Sequence, residues 1–306
     1  LVITGNSSIG GAISNATSFS VSGTTSLGAS VTTTTGGQTY SGAVTLAANP
    51  TLTSPIGTIL FSSTVDGGYT LTITNSASTG DVTFASAVGG TTSLTGLTIT
   101  TDILTAAAIR STGTLSVTNT GTSSITGIIS ENVSALAVTK AGTGTLTLSG
   151  ANTYTGLTTI SAGTLKLGAT GGATNTPLGT TTAGTVVSTN GTLDLAGFTL
   201  GTAEALTLNG TGTGSIGALM NSGSAATYSG LITLGSASSI IGGTGTINIS
   251  NVGTITGSGF GLTLGGAQGG TLASILGTTT GTLTKQDAGT WTLSGVNTYS
   301  GTTTVS

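Results

Sequence analysis

Asp81 and Asp102 lie 21 residues apart (102 − 81), about one turn of a repeating chain. Two carboxylates stacked that way can do acid–base work on a glycan, or hold calcium together with carbonyl oxygens. Arg110 and Glu131 share the same offset (131 − 110), which suggests an ion pair between neighbouring turns, placed beside that patch. The plainer reading is a set of solvated charges, or a ladder pair worth under about 1 kcal/mol. The plainer reading is preferred, so no catalytic, cofactor-binding or metal-binding residue is assigned.

Other chemistry is closed off by what the chain lacks. It contains no His and no Cys, which excludes Ser-His-Asp and Cys-His nucleophiles and zinc sites of the usual nitrogen and sulfur type. Gly-rich strings such as "NGTGTGSIG" (209–217) and "GGTGTINIS" (242–250) lack the Lys-Ser/Thr and the helix that a phosphate loop needs. Tyr40, Tyr154, Tyr228 and Tyr299 form a carbohydrate-stacking ladder only if neighbouring turns bring them together. Their separations (154 − 40 = 114, 228 − 154 = 74, 299 − 228 = 71) are several turns each and favour packing at corners instead. Thr runs at 32–35, 70–74 and 302–304 would match an ice lattice if stacked on a flat face, although Thr is in any case a favoured exposed strand residue.

The elements that must position these residues are strands. Aliphatic residues alternate with Thr, Ser or Asn in "YTLTIT" (69–74), "TSLTGLTIT" (92–100), "TLTLS" (145–149), "TLDLA" (192–196), "TINIS" (246–250) and several similar runs. That is the period-2 pattern of a half-buried strand. Gly, Asn and Ser clusters between the runs supply turns. The best helix candidate, "ILTAAAIR" (103–110), is short and isolated.

Charged residues make up 4% of the 306, with four bases against seven acids. Arg110, Lys140, Lys166 and Lys285 cannot form the basic stripe that nucleic acid requires. No apolar run approaches the roughly 20 residues of a membrane helix. At 36% apolar residues, the chain is unlike a disordered polymer. Its core must be thin, because aromatics are only 4%.

The chain also repeats itself. Residues 138–161 slide without a gap onto 283–306 at an offset of 145 (283 − 138), pairing Thr139, Lys140, Gly144, Asn152 and Tyr154 with Thr284, Lys285, Gly289, Asn297 and Tyr299. A shorter Thr-Tyr-(Ser/Thr)-Gly form recurs at Thr39–Gly42 and Thr227–Gly230. Short strands, few rings and a degenerate repeat favour a solenoid over a sandwich or barrel. The expected fold is all-β, a right-handed parallel β-helix, one continuous rod over residues 1–306. At about 20–25 residues per coil and about 4.8 Å per stacked strand, it has roughly 12–15 coils.

"VTKAGTGTLTLSGANTYTGLTTISAGTLKLG" (138–168) closely resembles the passenger-associated strand repeat of bacterial autotransporters. Gly142 to Gly150, Asn152 to Gly156 and Ala162 to Leu165 follow that pattern position by position. The second copy departs from it at Asp287, Ala288 and Trp291. The resemblance implies an exported β-helical protein of a Gram-negative cell surface and no catalytic residues.

The resulting expectation is a non-enzymatic stalk, adhesin shaft or extracellular filament. An adhesin binding glycans or host cells through residues 171–190 or 214–230 stands as the alternative, ahead of a polysaccharide-degrading enzyme or an ice-binding protein. "LVITGNSSIGG" at the start has neither an initiator Met nor a signal-peptide pattern, which reads as a mature segment of a longer product. Neither terminus resembles a solenoid cap, so the expected partners are flanking coils or other copies stacked end to end, with surface glycans as a further possibility.

Overall fold

In the computed structural model of the protein, residues 1–75 and 79–306 are described. The chain divides into two compact units, Leu1–Thr155 and Gly156–Ser306. Each is a β-solenoid of stacked coils joined by parallel ladders, as the alternating runs predict. Among the described residues there is no α-helix, and a single 3₁₀ turn at Thr213–Ser215. The "ILTAAAIR" segment is extended: Leu104–Ala106 is one strand, and the next begins at Ile109.

In the first unit the chain visits three strand stacks in rotation. One runs through Phe19–Val21, Gln38–Tyr40, Ile59–Phe61 and Val82–Phe84. A second runs through Ser7–Ile9, Thr25–Leu27 and Val44–Leu46. The third passes through Thr51–Ser54, Thr70–Asn75, Leu94–Thr101 and Ile109–Asn119. The coil step varies: Gly96 pairs with Thr114 (114 − 96 = 18), whereas Thr70 pairs with Gly96 (96 − 70 = 26).

Alternate residues of these strands point inward and are excluded from solvent, among them Leu52, Ile73, Ile99 and Val117. Leu146 and Leu148 of the first repeat are likewise fully buried, with Thr145 and Thr147 half-exposed between them. The core also holds an aromatic ladder. Phe19, Tyr40, Phe61 and Phe84 fall on successive coils, with centroids 5.5, 4.9 and 4.8 Å apart. The last two contacts are stacked, with interplanar angles of 9° and 6°. Rings are few, but these four line up in a single file.

The same third face carries a buried polar file at its strand ends. Ser54 pairs with Asn75 and Thr101 with Asn119, and all four are fully buried. They donate to turn carbonyls on their own and neighbouring coils: Asn75 Nδ2 to Gly57 and Asp81, Asn119 Nδ2 to Gly121 and Thr145. A tight corner leaves carbonyls away from water, and an unpaired buried carbonyl costs about 1–3 kcal/mol. Short amides and hydroxyls at the corner satisfy them.

The second unit follows the same plan. Thr185–Asp194 lies against Thr158–Leu167, and Ile232–Gly242 against Leu206–Gly210 and Leu219–Asn221. Another stack runs through Ala226–Tyr228, Ile247–Ile249, Gly269–Leu272 and Thr290–Leu293. Thr158–Leu167 is one unbroken strand. It passes its corner through a register shift between Ile160 and Ala162.

Candidate functional site

Asp81 and Asp102, weighed as a carboxylate pair and set aside in favour of solvated charges, are not in register. Val82 pairs with Leu104, a step of 22 (104 − 82), so Asp81 falls opposite Ile103, and the Asp102 amide donates to the Gly80 carbonyl. Asp102 Oδ1 accepts the Thr120 hydroxyl at 2.8 Å, which tethers it to the next coil. No group of three acidic side chains close enough to hold a metal ion occurs among the described residues.

The ion pair that the Arg110–Glu131 offset suggested does not form either. Arg110 lies opposite Ser130, a step of 20 (130 − 110), so Glu131 is displaced by one residue and falls just past the end of the strand. The Arg110 guanidinium donates to Asn132 Oδ1 at 2.8 Å. Glu131 instead receives the amides of Leu136 and Thr155 and the Thr155 hydroxyl, at 2.8–2.9 Å. Partial burial raises its pKa, but those three donors outweigh it and hold the carboxyl below its ordinary range. One ion pair joins Lys166 to Asp194 at 3.8 Å. Asp194 also accepts two amides and the Ser222 hydroxyl.

The residues shared by the two copies are the better candidates, and their roles are geometric. Lys140 is almost wholly buried at the end of an inward-facing row. Its ammonium donates to the carbonyls of Ala141 and Gly142, at 2.7 and 2.9 Å. Lys285 repeats this arrangement on Gln286 and Asp287, at 3.0 and 2.6 Å. Asn152 Oδ1 accepts the Ile129 amide on the preceding coil at 2.7 Å, and Asn297 Oδ1 accepts that of Leu276 at 2.8 Å. Gly142, with φ +74°, adopts a left-handed turn that leaves no room for a Cβ, which would press into the Asn119 carbonyl.

Two stretches, residues 138–167 and 283–306, match the family model of the passenger-associated-transport-repeat. Two segments of the chain are similar to this repeat. With the stacked parallel coils, they fit an autotransporter passenger repeat protein. No curated protein and no solved structure matches the chain. Within each repeat, the Lys closes the turn after its strand and the Asn ties its coil to the one before.

Tyr40, Tyr154 and Tyr228 are fully buried and cannot stack on a sugar, while Tyr299 is half-buried. Tyr154 and Tyr299 lie in non-strand corners, whereas Tyr40 and Tyr228 are the last residues of strands. The Tyr228 hydroxyl donates to the backbone carbonyl of Glu204 at 2.8 Å.

Glu204 is the residue that motif reading missed. It is fully buried, its Oε1 accepts the Thr185 hydroxyl at 2.6 Å, and its Oε2 has no partner. Burial pushes the carboxyl up to about 8, against the lowering effect of the Thr185 bond. Glu204 shares the parity of Leu206 and Leu208, the inward residues of the strand that follows, and that parity was the available signal.

Among the described residues, open grooves in the second unit include two lined by hydroxyl-bearing residues. One, of about 340 Å³, is lined by residues including Thr246, Asn248, Gln268 and Thr271. The other, of about 400 Å³, is lined by Thr174, Thr181 and Thr202 with neighbouring Ala and Gly, and so draws on the segment 171–190. Neither is lined by a carboxylate or a base. No helix among the described residues is long and apolar enough to cross a membrane.

Proposed function

We propose that residues 1–306 are a shaft segment of an exported, non-enzymatic surface protein of a Gram-negative bacterium. The observation that carries this reading is where the charged groups are engaged. Lys140 and Lys285 donate to turn carbonyls, and Glu131 binds backbone amides. Asp102 ties one coil to the next. A side chain committed to the backbone of its own stack is not free to turn over a substrate. Parallel ladders along the stack carry load and shield the backbone from proteases, which is what a shaft requires. Negative-stain microscopy of the purified chain tests this: rods or fibres are expected, and compact monodisperse particles overturn it.

A second reading, glycan adhesion, draws on the groove at Thr174, Thr181 and Thr202. Glycan-array binding retained by this segment and lost in Thr181→Trp, which fills the groove, would favour adhesion over a passive shaft.

A further inference from the structure

The outward side of the third face of the first unit carries two ranks of hydroxyls. Thr51, Thr72, Thr98, Ser116 and Thr139 follow one another in register from coil to coil. Thr32, Thr53, Thr74, Thr100 and Thr118 form the second rank, two residues along the same strands. Spacing is therefore about 4.8 Å between coils and about 6.6 Å along a strand. The register irregularity of Leu94–Thr101 falls at Leu94/Gly96, outside both ranks. Between the ranks run Leu52, Ile73, Ile99 and Val117, wholly buried, so the array is anchored in the core along its length.

Three features separate this array from the ordinary use of Thr on a strand. First, among the described residues none of its ten hydroxyls is hydrogen-bonded to another protein group; Thr74 is exposed and the other nine residues are half-buried. Second, the neighbouring outward ranks are interrupted. Leu60 parts Ser20 and Thr39 from a shorter run of Thr83, Thr105, Ser124 and Thr147, and Asp66 ends the series Ser8, Ser26, Thr45. Third, neither a charge nor an aromatic ring enters the two ranks.

We infer that this face is an ice-binding surface. Each Thr presents a hydroxyl and a methyl at a fixed lattice point. The hydroxyls hydrogen-bond to ordered water oxygens, while the methyls exclude mobile water between them. β-Branched rotamers are already restricted in a strand, so little side-chain entropy remains to be lost on contact with a rigid lattice. The lack of rings on the face argues against a crystalline polysaccharide, which aromatic platforms usually grip. The inference is independent of the shaft reading, since a passive shaft needs no such array.

Thermal hysteresis and inhibition of ice recrystallisation, measured on the purified chain, test it. Activity above that of an unrelated protein at equal concentration is expected. Thr98→Lys, in the middle of the array, should reduce it several-fold while leaving the circular dichroism melt in place. Thr74→Lys, at an exposed position, serves where Thr98→Lys loses the fold. Thr83→Lys, on the neighbouring face, should leave it unchanged. Absence of hysteresis and of recrystallisation inhibition in the folded chain overturns the inference, as does equal loss in the Thr83→Lys control. Retention on chitin or cellulose, lost in Thr98→Lys and unaccompanied by hysteresis, assigns the face to polysaccharide and overturns it too.

Discussion

The Lys140 ammonium lies 2.9 Å from the carbonyl oxygen of Gly142, two residues ahead of it and in the left-handed turn that ends its row. Lys285 stands in the same relation to Asp287 in the second repeat. A motif lysine is often read as a binding or catalytic group. Here it satisfies turn carbonyls, as Asn75 and Asn119 do on earlier coils.

Replacing Lys140 by Met keeps much of the volume but strips the Ala141 and Gly142 carbonyls of this donor. An unsatisfied buried polar group costs about 1–3 kcal/mol, so Lys140→Met should lower the urea midpoint by an amount of that order. Loss of stability without loss of any binding property identifies the lysine as structural.

The buried carboxyl makes stability depend on pH. Glu204 titrates near its ordinary value, about 4.5, in the unfolded chain and at about 8 in the folded one. Between those values the unfolded state has shed a proton that the folded state keeps. The contribution of this group to stability is therefore greatest below pH 4.5 and falls as pH rises to 8, by roughly 1.4 kcal/mol for each unit. Burial also brings Lys140 from 10.5 down to about 8; its cost is present below pH 8 and is relieved from there towards 10.5. Glu204→Gln, which can keep the Thr185 bond, should flatten the slope between pH 5 and 8 in melts recorded across that range.

Phe61 stacks on Tyr40 on one side and Phe84 on the other. Phe61→Ala opens a cavity in the narrow core and should cost about 3–5 kcal/mol. Phe61→Leu, which refills most of the space, should cost distinctly less. Chemical denaturation of both variants distinguishes a packed ladder from a merely apolar lining.

The two repeats offer a matched backbone test. Gly142 and Asp287 occupy equivalent positions at φ +74° and +64°. Asp tolerates this region better than most residues, and its Oδ2 also accepts the Gly266 amide at 2.8 Å. Gly142→Ala should destabilise by more than about 1 kcal/mol, since a Cβ there would meet backbone. Asp287→Gly should be close to neutral, trading relief of strain for the lost hydrogen bond.

Much of this was legible beforehand, because period-2 alternation reports directly on which side chains face a core. Leu146 and Leu148 were readable as inward from "GTLTLSG" alone, and the repeat revealed the stacking. Register was not legible. An even step (102 − 81 = 131 − 110 = 21) brought Asp81 to Asp102 and Arg110 to Glu131 on paper. The local steps are instead 22 (104 − 82) and 20 (130 − 110), and each one-residue difference takes the partners out of register. Loops of unequal length set those steps, and composition says nothing about them. The aromatic ladder was missed for a related reason. Tyrosines compared only with one another are far apart, whereas Tyr40, Phe61 and Phe84 follow at close to one coil each (61 − 40 = 21, 84 − 61 = 23). Parity with neighbouring aliphatic residues was the signal that could have marked Lys140 and Glu204 as inward.

Stacking in register underlies the structural role assigned to the repeats and the hydroxyl array alike, and a distance measurement between two spin labels tests it most directly. The chain has no cysteine, so Thr32→Cys and Thr118→Cys give two unique sites, far apart in sequence (118 − 32 = 86) and on one rank. Four coil steps separate them, which places their backbones about 19 Å apart. Double electron–electron resonance should return a narrow distribution centred near that value, widened only by the label arms. A broad distribution, or a narrow one centred far beyond it, would contradict the stacking.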